Sequence, residues 1–227
     1  MGMERRRFLG GMAAVGGALL AGCAGAPAQR GMRGYNTRVI DVHAHWHSPD
    51  FVALLENEGP ANGAKVSRNE RGQVLFVFPG YRTVFQETYM SLEIRLKYMD
   101  ATGVDIHALS LTSPMVYWAP PAFGLKLAQV YNNGLAAAHL KYPQRFYGLI
   151  TLPMQAPSLA MQELERAASL PGMRGVYMAT HVMGKNLDDK SFWPIYERCQ
   201  ALGFPILLHP VDPVGAEVRG GERAVKG

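Results

Sequence analysis

The sequence predicts an α/β fold, a (β/α)8 TIM barrel of parallel strands with about five of its eight units present. Three observations predict it. Short, mostly apolar strands alternate with amphipathic helices, which implies a parallel sheet covered by helices. No glycine-rich phosphate loop follows the first strand, which disfavours a dinucleotide-binding sheet. The first strand starts near residue 38 and the fifth near 205, so one unit averages about 42 residues and eight would need about 336.

The elements follow in chain order. Residues 39–43 read as the first strand and 50–58 as a short helix. The apolar run 72–78, beside Pro79-Gly80, reads as a small hairpin insertion. A helix over 88–101 carries Tyr89, Leu92, Leu96 and Met99 on one face and ends at Gly103. A strand follows at 106–111. The helix over 123–141 has a stripe of Leu127, Tyr131, Leu135 and Ala138, and Pro143 stops it. Then come a strand at 146–152, a helix at 158–170 capped by Ser158, and a strand at 175–180. The helix over 191–202 turns Phe192, Ile195, Cys199 and Leu202 inward, and a fifth strand spans 205–209.

The 227 residues suit one substantial domain. With 48% hydrophobic and 18% charged residues, general disorder is excluded. The formal charge is +5, but three arginines sit in the first 22 residues against a single glutamate. The surplus left on the remainder is too small to argue for nucleic-acid binding. Two cysteines, Cys23 and Cys199, exclude a disulfide scaffold, and the helical stripe makes Cys199 a buried structural thiol.

Arg5-Arg6-Arg7-Phe8-Leu9 precedes an uncharged Gly/Ala-rich run to Ala26. Residues 1–26 therefore read as a twin-arginine-type export signal. Leu20-Ala21-Gly22-Cys23 resembles a lipoprotein cleavage site, so lipidation of Cys23 would attach the protein to a membrane. The expected location is exported, in the bacterial periplasm or lipid-anchored at the cell envelope. Residues 27–37 read as a linker, 38–213 as the partial barrel domain and 214–227 as an irregular tail.

The histidines carry the chemistry. His43 and His45 sit two apart at the end of the first strand, on one face, with Asp41 on that face one step lower. The C-terminal ends of barrel strands are where barrel active sites lie. His209 ends the fifth strand across the same mouth. Three neutral imidazoles suit a divalent cation such as Zn²⁺. His47, past the strand end, and His181, after the fourth strand, are candidates for touching substrate. His107 begins a strand at the opposite end, and His139 lies in a helix, so both read as structural or solvated.

Several segments now carry a resemblance. They are Asp41-Val42-His43-Ala44-His45, Met99-Asp100-Ala101-Thr102-Gly103-Val104-Asp105, Tyr142-Pro143-Gln144-Arg145-Phe146, Leu152-Pro153-Met154-Gln155-Ala156-Pro157, Gly175 to Val182, and Leu208-His209-Pro210. In this order they resemble the amidohydrolase-related family, nearest to its α-amino-β-carboxymuconate-ε-semialdehyde decarboxylases. The resemblance implies a barrel of the metal-dependent hydrolase type whose members mostly release CO₂ without an organic cofactor, while some hydrolyse lactones. It implies that His43, His45 and His209 bind zinc; Asp41, by its place on the strand, is the expected supporting residue. It also implies an aspartate on an eighth strand and a base histidine after a sixth, both expected beyond residue 227, so no catalytic base is assigned in this chain. Relatives use an arginine of the insertion for a substrate carboxylate. Here Phe76 stands at that place, and Arg71 and Arg82 are the candidate replacements.

Zinc lowers the pKa of bound water from about 15.7 to about 7. The expected reaction is addition of that zinc-bound hydroxide to a small unsaturated or aromatic carboxylic acid, followed by loss of CO₂. Two alternatives stay open: a hydrolase of the lactonase or amidohydrolase type on the same scaffold, and an inactive fragment or non-enzymatic partner that pairs its open sheet edge with another chain. The expected partner is a small-molecule carboxylate, not nucleic acid. A homodimer is expected of the full-length protein.

Overall fold

A computed structural model of the chain describes residues 37–71 and 73–211. The expected export signal, Cys23 and the tail from 214 onward lie outside the described residues. Strand β1 (Ile40–His45) leads to helix α1 (Pro49–Glu58). Ser48 starts this helix, because its side chain accepts from the Phe51 N–H and Pro49 presets the first turn. Strands β2 (Lys65–Arg68), β3 (Val74–Phe78) and β4 (Tyr81–Phe85) follow as one antiparallel sheet in that order. The expected hairpin is thus three strands. Only β3, with Val74, Phe76 and Phe78 buried in alternation, was apolar enough to read; β2 and β4 are half polar.

Helix α2 (Leu92–Thr102) begins after Ser91, whose side chain accepts from the Ile94 N–H, and ends at Gly103 with φ 72. Tyr89 lies in a 3₁₀ turn before the helix, not on it, and the buried residues of α2 are Leu92, Arg95 and Met99. Strand β5 (Ile106–Ser110) precedes helix α3 (Pro121–Lys141), which buries Leu127, Tyr131, Leu135 and Ala138 as the stripe predicts. Strand β6 (Phe146–Ile150) precedes helix α4 (Pro157–Ala167). Ser158 does not cap α4: Ala156 holds the cap position without a side-chain bond, and Pro157 opens the helix. Strand β7 (Met173–Ala179) runs into a short antiparallel pair, β8 (His181–Val182) and β9 (Lys185–Asn186). Helix α5 (Trp193–Leu202) and strand β10 (Ile206–His209) complete the described residues, among which no helix is long and apolar enough to cross a membrane.

The main sheet has the order β1-β5-β6-β7-β10, with every pair parallel. The central strands are packed on both faces, so Leu109, Ile150, Val176 and Met178 are almost wholly buried. In a flat sheet β1 and β10 would stand about 19 Å apart, four spacings of about 4.8 Å. The rings of His43 on β1 and His209 on β10 are 5.2 Å apart between centroids. The sheet is therefore strongly curled, as an arc of a barrel must be. Its outer strands carry exposed apolar side chains: Ile40 is 55%, Val42 50% and Leu208 51% exposed.

Two buried details anchor this arc. Asn132 on α3 donates to the Thr151 carbonyl (3.0 Å) and to Glu163 Oε1 on α4 (2.7 Å), and accepts from the Thr151 N–H (3.0 Å). Glu163 is held in turn by Arg166 at 2.8 Å. Cys199 on α5 is buried, and burial raises its thiol to about 11. In a Cys23→Ser variant, a thiol reagent is expected to leave the native protein unlabelled and to label one site in denaturant. Rapid native labelling would contradict this packing.

Candidate metal centre

His43 and His45 come from the end of β1, and His209 from the end of β10. One ligand nitrogen from each lies within 4.8 Å of the others. His43 Nε2 and His45 Nε2 are 3.0 Å apart. Two nitrogens bound tetrahedrally at about 2.0–2.1 Å would sit about 3.3 Å apart, so this pair already has the spacing of a chelate. The rings of His45 and His209 are 5.0 Å apart between centroids, and Tyr177 on β7 lies 5.7–6.5 Å from all three.

Neighbouring hydroxyls orient the rings. Ser110 Oγ is 3.1 Å from His45 Nδ1, and Ser113 Oγ is 3.2 Å from His209 Nδ1. Each bond leaves Nε2 for a cation. Burial, then the neighbouring histidines, pushes His45 down to about 4. His209 is lowered by burial and by His43. Neutral rings keep their lone pairs, which is the state a cation requires. The donor set therefore fits a divalent metal.

A bulge corrects the simple picture of β1. Asp41 pairs with His107 and Ala44 with Leu109, so three steps on β1 span two on β5. His45 then aligns with Ser110 while Asp41 aligns with His107. Asp41 and His45 therefore face opposite sides of the sheet, not the same side. Asp41 does meet His43, through the backbone: its Oδ1 accepts the His43 N–H at 2.9 Å.

The other candidates do not join the cluster. His47 is buried, pushed down to about 3 by that burial, and packed against Phe51, Phe76 and Phe85. It does not line the cleft. Arg71 is exposed in a turn and Arg82 is exposed on β4, so neither lines it. His181 is half buried at the start of β8. Phe76 is wholly buried, which leaves the insertion's aromatic face to packing.

The cleft beside the histidines, about 270 Å³, is lined by Asp41, His43, His45, Thr88, Tyr89 and Arg95. Sequence reasoning missed Arg95. Its signal was present: Leu92, Arg95 and Met99 share one helical face. Arg95 NH2 donates to the carbonyls of His45 and Thr88 (2.9 Å for the latter), and NH1 lies 3.2 Å from His107 Nδ1. His107, expected to be solvated or merely structural, faces Asp41 Oδ2 at 3.5 Å from its Nε2.

The amidohydrolase family model matches residues 40–219. The chain belongs to the amidohydrolase family. It is 33% identical over 181 residues to the 2-amino-3-carboxymuconate-6-semialdehyde decarboxylase of Dictyostelium discoideum, covering 78% of this chain and 50% of that protein. It resembles the crystal structure of the 5-carboxyvanillate decarboxylase of Novosphingobium aromaticivorans complexed with manganese and 4-hydroxy-3-methoxy-5-nitrobenzoic acid. The TM-score is 0.62 at 26% identity, over 81% of this chain and 53% of that one. The apo IDCase of Metarhizium anisopliae shares the fold, with a TM-score of 0.69 at 24% identity, over 82% of this chain and 54% of that one. The chain spans about half the length of the curated relatives it matches. An amidohydrolase barrel accounts for the all-parallel, curled arc seen here.

Proposed function

We propose that this chain carries the histidine cluster of a metal-dependent, non-oxidative decarboxylase acting on a small aromatic or unsaturated carboxylic acid. The observation that carries the reading is the meeting of His43, His45 and His209 at the C-terminal ends of β1 and β10. Two relatives bear decarboxylase names, one of them in complex with manganese, which supports both the reaction class and a divalent ion. Zinc and manganese are the candidate ions. A divalent ion bound there supplies Lewis acidity, polarising a substrate oxygen or acidifying water.

The chain's own residues do the rest. His43, His45 and His209 hold the ion. With Ser110 and Ser113 accepting from Nδ1–H of His45 and His209, the rings would present Nε2 to the ion. Tyr177, buried under the cluster, packs edge-on against the imidazoles and closes that side of the site.

The test is CO₂ release from a panel of hydroxybenzoates and unsaturated carboxylic acids by the full-length protein loaded with Mn²⁺ or Zn²⁺. Metal-dependent release from at least one acid is expected. Metal-loaded protein that opens a lactone but releases no CO₂ would replace this reading with the hydrolytic one.

A further inference from the structure

We infer that Asp41, His107 and Arg95 form a staple across the bulge of β1 that sets the spacing of His43 and His45. The inference rests on the reading of those histidines as cation ligands. It makes Arg95 and His107 positioning residues, since neither belongs to the ligand cluster.

The contacts form a closed circuit. It starts at the His43 backbone N–H, which donates to Asp41 Oδ1. Asp41 Oδ2 faces His107 Nε2, and His107 Nδ1 faces Arg95 NH1. Arg95 NH2 returns to the His45 carbonyl. The circuit thus begins and ends on the two residues whose rings must converge, and it spans the extra residue of β1. A bulge re-aims side chains but loosens the ladder around it. These contacts brace the strand across that gap.

The protonation pattern agrees. A guanidinium only donates, so His107 Nδ1 must accept. Burial pushes His107 down to about 4, which leaves it neutral with its proton on Nε2, aimed at Asp41. His107 therefore relays between a cation and an anion that lie on different elements.

The burial of Arg95 is otherwise unexplained. It is 8% exposed, and no ion pair to it is seen among the described residues. Placing a guanidinium there strips it of hydration, which is unfavourable without compensation. Service as a substrate-carboxylate receptor fits poorly. NH2 is bound to two carbonyls, and Nε is sealed from solvent without a partner. A fork of fixed donors bracing three segments fits well.

The experiment measures Mn²⁺ affinity by calorimetry on Arg95→Gln, His107→Leu, the double variant and Arg95→Lys, at a temperature where circular dichroism shows each to be folded. Both single substitutions are expected to weaken binding about 10–100-fold, as supporting residues of metal sites do. The double variant should be little weaker than the worse single one, because the two act in one circuit. Arg95→Lys keeps the charge without the fork and should recover part of the affinity. Folded single variants that bind Mn²⁺ like the parent overturn the staple. So does failure of every variant to fold, which would make these residues determinants of the fold alone. A parent protein that takes up no Mn²⁺ sinks the cation reading itself, an outcome distinct from both.

Discussion

His209→Ala should abolish tight binding of Mn²⁺ or Zn²⁺. The loss should exceed the roughly 10–100-fold that removal of a supporting residue costs, because a ligand disappears outright. His209 is part-buried at the end of an outer strand with one side-chain partner, Ser113, so the metal-free variant should keep its stability within about 1 kcal/mol of the parent. The two readouts separate cleanly. The parent should gain about 2.7 kcal/mol at a metal concentration of 100 times Kd, and the variant nothing. His181→Ala, which removes an imidazole outside the cluster, should behave like the parent. Wild-type affinity in His209→Ala would show that β1 binds the ion without β10.

Asn132→Leu should cost about 3–5 kcal/mol in urea unfolding. Leucine fills the space, but the Thr151 N–H and the Thr151 carbonyl lose the Asn132 amide, and Glu163 Oε1 loses one of its two donors. Each buried polar group left unpaired costs about 1–3 kcal/mol. Arg166 still holds Glu163, which keeps the total from rising further. Thr151 directly follows β6, so the damage falls where α3, β6 and α4 meet. A loss below about 1 kcal/mol would mean that the site relaxes and finds other partners.

Much of this was legible in the sequence. The alternation of strands and helices follows from local hydrophobic period, and so do the buried faces of α3 and α5. The convergence of His43, His45 and His209 was legible because strand ends in a parallel barrel share one rim. What failed depended on non-local register. The bulge in β1 changes no local composition, yet it turns Asp41 to the far side of the sheet. Arg95 was overlooked because a reading of apolar periodicity passes over a charged residue, even one spaced three from Leu92 and four from Met99. Ser158 looked like a cap by residue type, but Pro157 already opens the helix one residue earlier. Arg71 and Arg82 were named because Phe76 stands where relatives carry an arginine, and both side chains are exposed.

The histidines that meet belong to the first and last strands of the sheet, 166 positions apart in the chain. A bound ion would therefore act as a clasp, fastening the two ends of the arc through every strand between them. Its grip would gauge the curvature of the whole layer, so any core substitution that flattened the arc would surface first as a weaker hold on metal. Chelation, conversely, should loosen amide protection throughout the layer rather than at the rim alone.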